Sequence, residues 1–221
     1  MKYVVSLLFG LILGAAVAAA ALYFNPLTRS QSTPFQNPER TLEYKLAGSG
    51  VWLSTHDDRL DLPVVPRDVP LLYEDGIRGT WLSALALEDA TEPGTIGASR
   101  ISVPSPESEL IRSGLLVEDF WLISVPGNGS LFVHAMNNQW PLLRDTVVKV
   151  DWLGRDFGGP ANYDPTRGPA NGAAEVFGLT GSYRGLEGRA REHVTLQSYT
   201  GGLSALSGKL ALRMSDKRSE D

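Results

Sequence analysis

Cysteine is missing from all 221 residues of the chain, which excludes disulfide bonds, thiol catalysis and cysteine-ligated zinc or iron–sulfur centres. Runs of like charge are missing as well, and 20 basic against 25 acidic residues give a net charge of −5. A nucleic-acid-binding protein normally carries a basic patch, so nucleic acid is not an expected partner. The chain also lacks a P-loop, a dinucleotide fingerprint and a G-x-S-x-G elbow. We therefore predict no cofactor and no catalytic residue.

Histidine is scarce and dispersed. His56, His134 and His193 belong to no H-x-H or H-E-x-x-H spacing, so they are interpreted as surface or hydrogen-bonded strand residues and no metal site is predicted. The adjacent carboxylates Glu118 and Asp119 fall in a strand-like run, where neighbouring side chains point to opposite faces. They are therefore not expected to act as an acid/base pair.

The N-terminus contains the longest apolar run of the chain. Residues Tyr3 to Phe24 carry no charge over roughly 22 residues, which as a helix would span about 33 Å and match a bilayer core. This pattern predicts a transmembrane signal-anchor over residues 1–24. A cleaved signal peptide is the alternative, favoured by Lys2 and by the small residues from Ala15 to Ala21. For the anchor we expect a single-pass protein of a bacterial inner (cytoplasmic) membrane, with its C-terminal domain in the periplasm.

The rest of the chain divides into a tether, a folded unit and a tail. Residues 25–40 are polar and contain three prolines, which predicts a flexible tether, and the mixed charges of residues 215–221 predict a disordered tail. Residues 41–214 form the predicted domain. Its strand-like runs are Thr41–Ala47, Ile77–Asp89, Thr95–Val103, Asp119–Val125, Ser130–Met136, Asp145–Leu153, Ala174–Leu179, Gly188–Tyr199 and Gly208–Met214.

Alternation of apolar and polar residues within these runs indicates half-buried strands. In Thr41–Ala47 the apolar Leu42, Tyr44 and Leu46 share one face. The fold class predicted is all-β, a single antiparallel β-barrel of about eight or nine strands preceded by one transmembrane helix. Residues Ser105–Ser113 are interpreted as a helical turn, and the Gly- and Pro-rich stretch Arg155–Gly172 as a long loop that cannot continue a strand.

A glycine-rich segment near the C-terminus, GLTGSYRGLEG, runs from Gly178 to Gly188. It resembles the hairpin of dirigent proteins and the wider allene oxide cyclase barrel group, in which G-G-T-G-x-F-x-x-A-x-G precedes the final strands. The positions that match are Gly178, Thr180, Gly181, Tyr183 and Gly188, whereas Leu179 and Leu186 depart from the pattern. Upstream, GNGSLFVHAMN resembles the strand of that group that begins with Gly-Ser. The resemblance implies an eight-stranded barrel whose apolar interior is able to hold a small hydrophobic molecule, and no catalytic residue of the group has a matched position here.

Five tryptophans mark the candidate interior. Strand alternation places Trp81, Trp121 and Trp152 on inward faces, where they either fill the core or line a ligand pocket. The leading functional hypothesis is non-catalytic binding of a small apolar ligand or an envelope partner by a membrane-anchored periplasmic barrel. The alternatives are a cyclase or isomerase resembling the dirigent group and a structural or assembly factor of an envelope complex. The oligomeric state is not predicted.

Overall fold

The chain folds mostly into β-strands that close an antiparallel barrel of eight strands. The computed structural model describes residues 2–24, 40–46, 51–54, 80–89, 95–168, 172–200 and 203–216. The strands are β1 Arg40–Leu46, β2 Val51–Ser54, β3 Trp81–Asp89, β4 Thr95–Pro104, β5 Leu116–Val125, β6 Gly129–Asn138, β7 Ala161–Tyr163, β8 Thr166–Gly168, β9 Ala174–Gly178, β10 Leu186–Thr200 and β11 Leu203–Asp216.

The barrel follows the order β1-β11-β10-β9-β6-β5-β4-β3, and β3 then pairs with β1 to close it. At the closure Leu42 lies opposite Asp89 and Tyr44 opposite Leu87. The short strands lie outside this ring, with β2 paired to β3, β7 to β10 and β8 to β6. The predicted barrel is thus confirmed in its strand number and antiparallel pairing.

Period-two alternation decides which side chains fill the barrel. On β5 the inward side chains run from Val117 through Asp119, Trp121 and Ile123 to Val125, and all of them are buried. Together with leucines of β1, β3, β6 and β11 the apolar members form one continuous core. The barrel therefore contains packed side chains along the described strands.

A helix replaces the strand predicted over Asp145–Leu153, and that prediction was wrong. Residues Trp140–Leu143 form α2, which continues directly into a π-helix, Arg144–Trp152. Pro141 suits the first turn of a helix because its φ is fixed and its missing N–H is not needed there. The buried side chains are Leu142, Leu143 and Thr146, which is a helical spacing. The alternating valines of the segment, Val148 and Val150, had indicated a strand instead.

This second helix covers a smaller apolar cluster on the long strands β10 and β11. Leu142 packs there with Leu196, Tyr199 and Leu206, and Val150 of the π-helix joins them. The Tyr199 hydroxyl donates to Asp151 at 2.5 Å. These contacts fix the helix to the barrel wall.

The loops agree only in part with prediction. Ser105–Ser113 forms consecutive turns, and Ser113 N donates to Glu109 O at 2.8 Å as in one helical turn, but the segment does not extend to a regular helix. The stretch Arg155–Gly172 contains two short strands, β7 and β8, because neighbouring strands β10 and β6 offer unpaired edges there.

The predicted tether lies outside the described residues except for Arg40, which begins β1. In the predicted tail only residues 215 and 216 are described, and they end β11. The remaining positions of both predictions are untested.

Glycine makes the connection between β9 and β10 compact. A single 3₁₀ turn, Gly181–Tyr183, joins the two strands, and Gly181 adopts φ +65°, which favours glycine. A Cβ on Gly181 would lie 2.1 Å from the carbonyl oxygen of Asn128, in the turn between β5 and β6. Asn128 and Gly129 lie in the hairpin connection of β5 and β6, and the two turns approach closely because Gly129 and Gly181 have no Cβ there.

The N-terminal segment forms helix α1, Lys2–Phe24. Its described apolar side chains are exposed, among them Leu7, Phe9 and Leu11. Among the residues described, no helix reaches the length and apolarity required to cross a bilayer.

A buried ionic cluster as the candidate functional site

Charged and polar side chains occupy the inside of one end of the barrel. We name them the ionic cluster, which consists of Tyr44, Arg100, Ser102, Asp119, Asn137 and Glu192. Each member lies in phase with the apolar inward side chains of its own strand, so strand alternation alone directs it to the interior. Burial of charge is costly unless the charge is paired, and here Arg100 pairs with both Asp119 and Glu192.

Arg100 and Asp119 form the centre of the ionic cluster. Nε of Arg100 donates to Oδ1 of Asp119 at 2.9 Å and Nη2 donates to Oδ2 at 2.6 Å, a bidentate pair. The Ser102 hydroxyl donates to the same carboxylate. Arg100 lies on β4 and Asp119 on β5, and the side chain of Asp119 is fully buried. The pair therefore joins two neighbouring strands inside the barrel.

Glu192 brings a second carboxylate from the other side of the barrel. Nη1 of Arg100 donates to Oε1 of Glu192 at 3.0 Å, and the Tyr44 hydroxyl donates to the same oxygen. Asn137 bridges the two acids, since its Nδ2 donates to Asp119 at 2.6 Å and to Glu192 at 2.8 Å. Gly208 on β11 leaves the space that the Tyr44 ring occupies, because a Cβ there would lie 2.1 Å from that ring.

The charges of the ionic cluster do not balance when both carboxyls are ionised, because one guanidinium then faces two carboxylates. Burial raises the pKa of Glu192, the nearby Asp119 raises it further, and Arg100 opposes the shift. Burial and the adjacent Glu192 also hold the pKa of Tyr44 well above its ordinary value. For Arg100 burial acts against the charge, but Asp119 and Glu192 prevail and raise its pKa. Burial and the neighbouring Asp119 thus favour the protonated form of Glu192.

Trp121 forms the apolar wall beside the cluster. Its ring lies 4.7 Å from the guanidinium carbon of Arg100, a cation–π contact, and 5.5 Å from the Tyr44 ring centroid. Within the described part of the chain, neither Nε1 of Trp121 nor Oδ1 of Asn137 has a hydrogen-bond partner, although both atoms are buried. A buried donor and a buried acceptor are therefore left unpaired at the cluster.

The structure separates the three tryptophans predicted to line a pocket. Trp121 is fully buried and lies in the core, whereas Trp152 ends the π-helix with 73% of its surface exposed. The inward placement of Trp152 was wrong because its segment is helical, so strand alternation does not apply to it. The backbone of Trp81 begins β3, and its side chain lies outside the described residues.

The two described histidines, His134 and His193, lie away from the ionic cluster. His134 lies on the outer face of β6, stacked on Phe120 at 4.9 Å between ring centroids. His193 pairs with Asp164 at the surface, and His56 lies outside the described residues. Over the described ranges, no group of three or more His, Asp or Glu side chains is arranged to hold a metal ion.

Aromatic and aliphatic side chains form a stripe on the outer face of four adjacent strands, β4, β5, β6 and β9. We name this the outer stripe, which consists of Ile101, Phe120, Leu122, Phe132 and Phe177. Phe120 and Phe132 stack at 6.3 Å between ring centroids. Glu118 lies on the same outer face, whereas Asp119 faces inward, so the two side chains lie on opposite faces of β5.

Sequence reasoning missed the ionic cluster, although a signal was present. Arg100 continues the inward series of Ile96 and Ala98, and Asn137 continues the series of Val133 and Ala135. A polar residue in phase with a core-facing series is the pattern that marks a buried polar site.

No family model, curated protein or solved structure matches this chain.

Proposed function

We propose that the barrel binds a small molecule without transforming it, and that the ionic cluster recognises the polar group of that ligand. The observation that carries the proposal is the pair of unpartnered buried atoms, Trp121 Nε1 and Asn137 Oδ1, at the edge of a charged cluster in an apolar interior. Ligand sites in proteins combine this kind of apolar lining with a few placed polar groups. A small molecule is favoured over a protein partner because these groups lie inside the barrel.

The two atoms define the chemistry of the ligand. Trp121 Nε1 is a donor and Asn137 Oδ1 is an acceptor, so a ligand with one hydrogen-bond acceptor and one donor would satisfy both. Leaving a buried polar atom unpaired costs about 1–3 kcal/mol, which pairing with a ligand would recover. The body of the ligand is apolar because Val133 and other core side chains surround the Trp121 ring.

Two conservative variants test this site. Trp121→Phe keeps an aromatic ring but removes the donor, and we expect it to weaken ligand binding by about 3–10-fold, the worth of one neutral hydrogen bond. Trp140→Phe is the matched control, because Trp140 also has a buried, unpartnered Nε1 among the described residues but belongs to α2. Binding is measured by extracting co-purifying small molecules and by titrating an environment-sensitive apolar dye. Equal affinities for the two variants, or no saturable binding at all, would contradict the proposal.

The same proposal places the protein in the inner membrane, held by α1 with the barrel in the periplasm. The support is the uncharged run Tyr3–Phe24 and the exposed apolar side chains of α1, which need an apolar surrounding. The full-length protein should fractionate with the inner membrane and resist carbonate extraction, whereas a chain starting at Thr33 should be released. A mature N-terminus near Ala21 in the native host would replace the anchor with a cleaved signal peptide.

Acid–base isomerisation or cyclisation is the second candidate, in keeping with the resemblance of GLTGSYRGLEG to the dirigent and allene oxide cyclase group. The raised pKa of Glu192 and its contact with the Tyr44 hydroxyl favour it, since a raised pKa makes a carboxylate a stronger base. Glu192 would take a proton from one carbon of the ligand and return it to another, so no oxidant is needed. Wild-type protein in D₂O should then introduce deuterium into its ligand, and Glu192→Gln should not. A bound ligand that stays free of deuterium would exclude this candidate.

A further inference from the structure

The end of the second helix presents an unusually exposed apolar pair. Trp152, the last residue of the π-helix, has 73% of its surface exposed, and Leu153, which follows it, has 55%. The other side of the same helix is packed on the barrel. An exposed tryptophan of this kind is typical of a surface that meets another phase or molecule, because its indole combines a large apolar area with one donor.

A contact with α1 indicates what this surface meets. The guanidinium carbon of Arg144 lies 5.5 Å from the ring centroid of Tyr23, next to the end of α1 at Phe24. If α1 is the membrane anchor, Tyr23 and Phe24 lie at the boundary between bilayer and water, where aromatic side chains concentrate. Arg144, at the start of the π-helix, then lies at the level of the lipid headgroups.

The π-helix holds Trp152 close to the level of the lipid headgroups. Trp152 follows Arg144 by eight residues, which is at most about 12 Å along the axis at α-helical rise. Hydrogen bonds fix both ends of the helix, since Tyr163 donates to Asp145 at 3.1 Å and Tyr199 donates to Asp151 at 2.5 Å. A helix lying flat on the membrane would therefore bring Trp152 and Leu153 into the headgroup region.

The charges of this region indicate how it binds. Over residues 144–156 three basic and three acidic residues alternate, so the formal charge of this segment is zero. They are Arg144, Asp145, Lys149, Asp151, Arg155 and Asp156. Attraction to anionic lipids needs an excess of Lys and Arg, which is absent from this segment. The contact must depend on apolar burial.

We propose that Trp152 and Leu153 form a lipid-contact surface that seats the barrel on the bilayer beside its anchor. The inference rests on the proposed membrane anchor. The occupant is a phospholipid surface, recognised by apolar insertion without a preference for headgroup charge. The barrel is thereby held in one orientation relative to the membrane.

Quenching of tryptophan fluorescence in the full-length protein tests this surface. The protein is reconstituted into phosphatidylcholine vesicles whose lipids carry a quencher near the headgroup or near the end of the acyl chain. We expect the shallow quencher to act more strongly, and Trp152→Phe to remove that quenchable fraction. Trp140→Phe, at the opposite end of the same helix, is the control and should leave it unchanged. Adding phosphatidylglycerol should not alter the result.

The outcomes separate this inference from the anchor. Protein that enters the vesicles but is quenched equally in wild type and Trp152→Phe overturns the lipid-contact surface and leaves the anchor intact. Protein that stays in solution overturns both. Quenching that requires phosphatidylglycerol would show an electrostatic contact and would also overturn the inference.

Discussion

Replacing Asp119 by Asn is the most direct test of the ionic cluster. The substitution keeps the shape of the side chain but removes the charge that accepts both Nε and Nη2 of Arg100. It also places an amide against donors from Ser102 and Asn137. Arg100 would be left in the interior with Glu192 as its only carboxylate among the described residues.

The magnitude follows from the burial of the pair. Breaking a buried, hydrogen-bonded ion pair typically costs about 3–5 kcal/mol. Here Glu192 still contacts Arg100 at 3.0 Å and the cluster loses an excess negative charge, so we expect the lower end, about 3 kcal/mol. With a urea dependence of about 2 kcal/mol per molar, the unfolding midpoint should fall by about 1.5 M.

Asp145→Asn provides the matched control. Asp145 also pairs with an arginine, Arg144 at 2.9 Å, but about a quarter of each of these side chains is exposed. A partly exposed pair contributes less than a fully buried one, about 1 kcal/mol, and the new amide oxygen can still accept from the Tyr163 hydroxyl, so the midpoint should fall by about 0.5 M at most. Urea unfolding of the full-length protein in mild detergent, followed by intrinsic fluorescence, measures both variants. Equal shifts for the two substitutions would refute the reasoning, because the ionic cluster would then behave as a surface pair.

Two further predictions concern Glu192 and the turn at Gly181. Because the pKa of Glu192 is raised in the folded state, its contribution to stability is complete below the unfolded pKa and is lost as pH rises through the folded pKa. Glu192→Gln should remove this dependence in urea midpoints measured from about pH 4 upward, whereas Glu43→Gln, in an exposed pair with Lys209, should keep it. Gly181→Ala should lower the free energy of unfolding by more than about 1 kcal/mol, since φ is +65° and the new Cβ would clash with Asn128 O. Gly185→Ala is its partner variant, with a similar φ of +83° but open space, and should cost less.

The strands were predictable because alternation is a local property. Runs such as Thr95–Val103 were recognised within a few residues of the observed β4, and the closed barrel followed from their number and spacing. The second helix was not predictable in this way. Its Val147 and Val148 have high strand propensity, and only the packing of Leu142 and Val150 against β10 and β11 decides for a helix.

The assembly of the ionic cluster could not be predicted from the sequence, for a different reason. Each strand contributes only one or two polar residues to an otherwise apolar inward series, which marks a polar position but not its partners. What makes them a site is that Arg100 and Glu192, far apart in the chain, meet across the barrel. Long-range register is a property of the whole sheet and cannot be deduced from any one strand.

The closure of the barrel by β1 has a consequence for folding. β1 pairs with β11 on one side and β3 on the other, so that Arg40 lies opposite Leu212, a residue 172 positions later in the sequence. During synthesis β1 therefore has no partner on its β11 side until the last strand has emerged. Contacts of such sequence separation form slowly, and unpaired strand edges are prone to aggregate. Completion of the barrel must wait for its final residues, which makes a chain truncated within β11 a ready target for proteolysis.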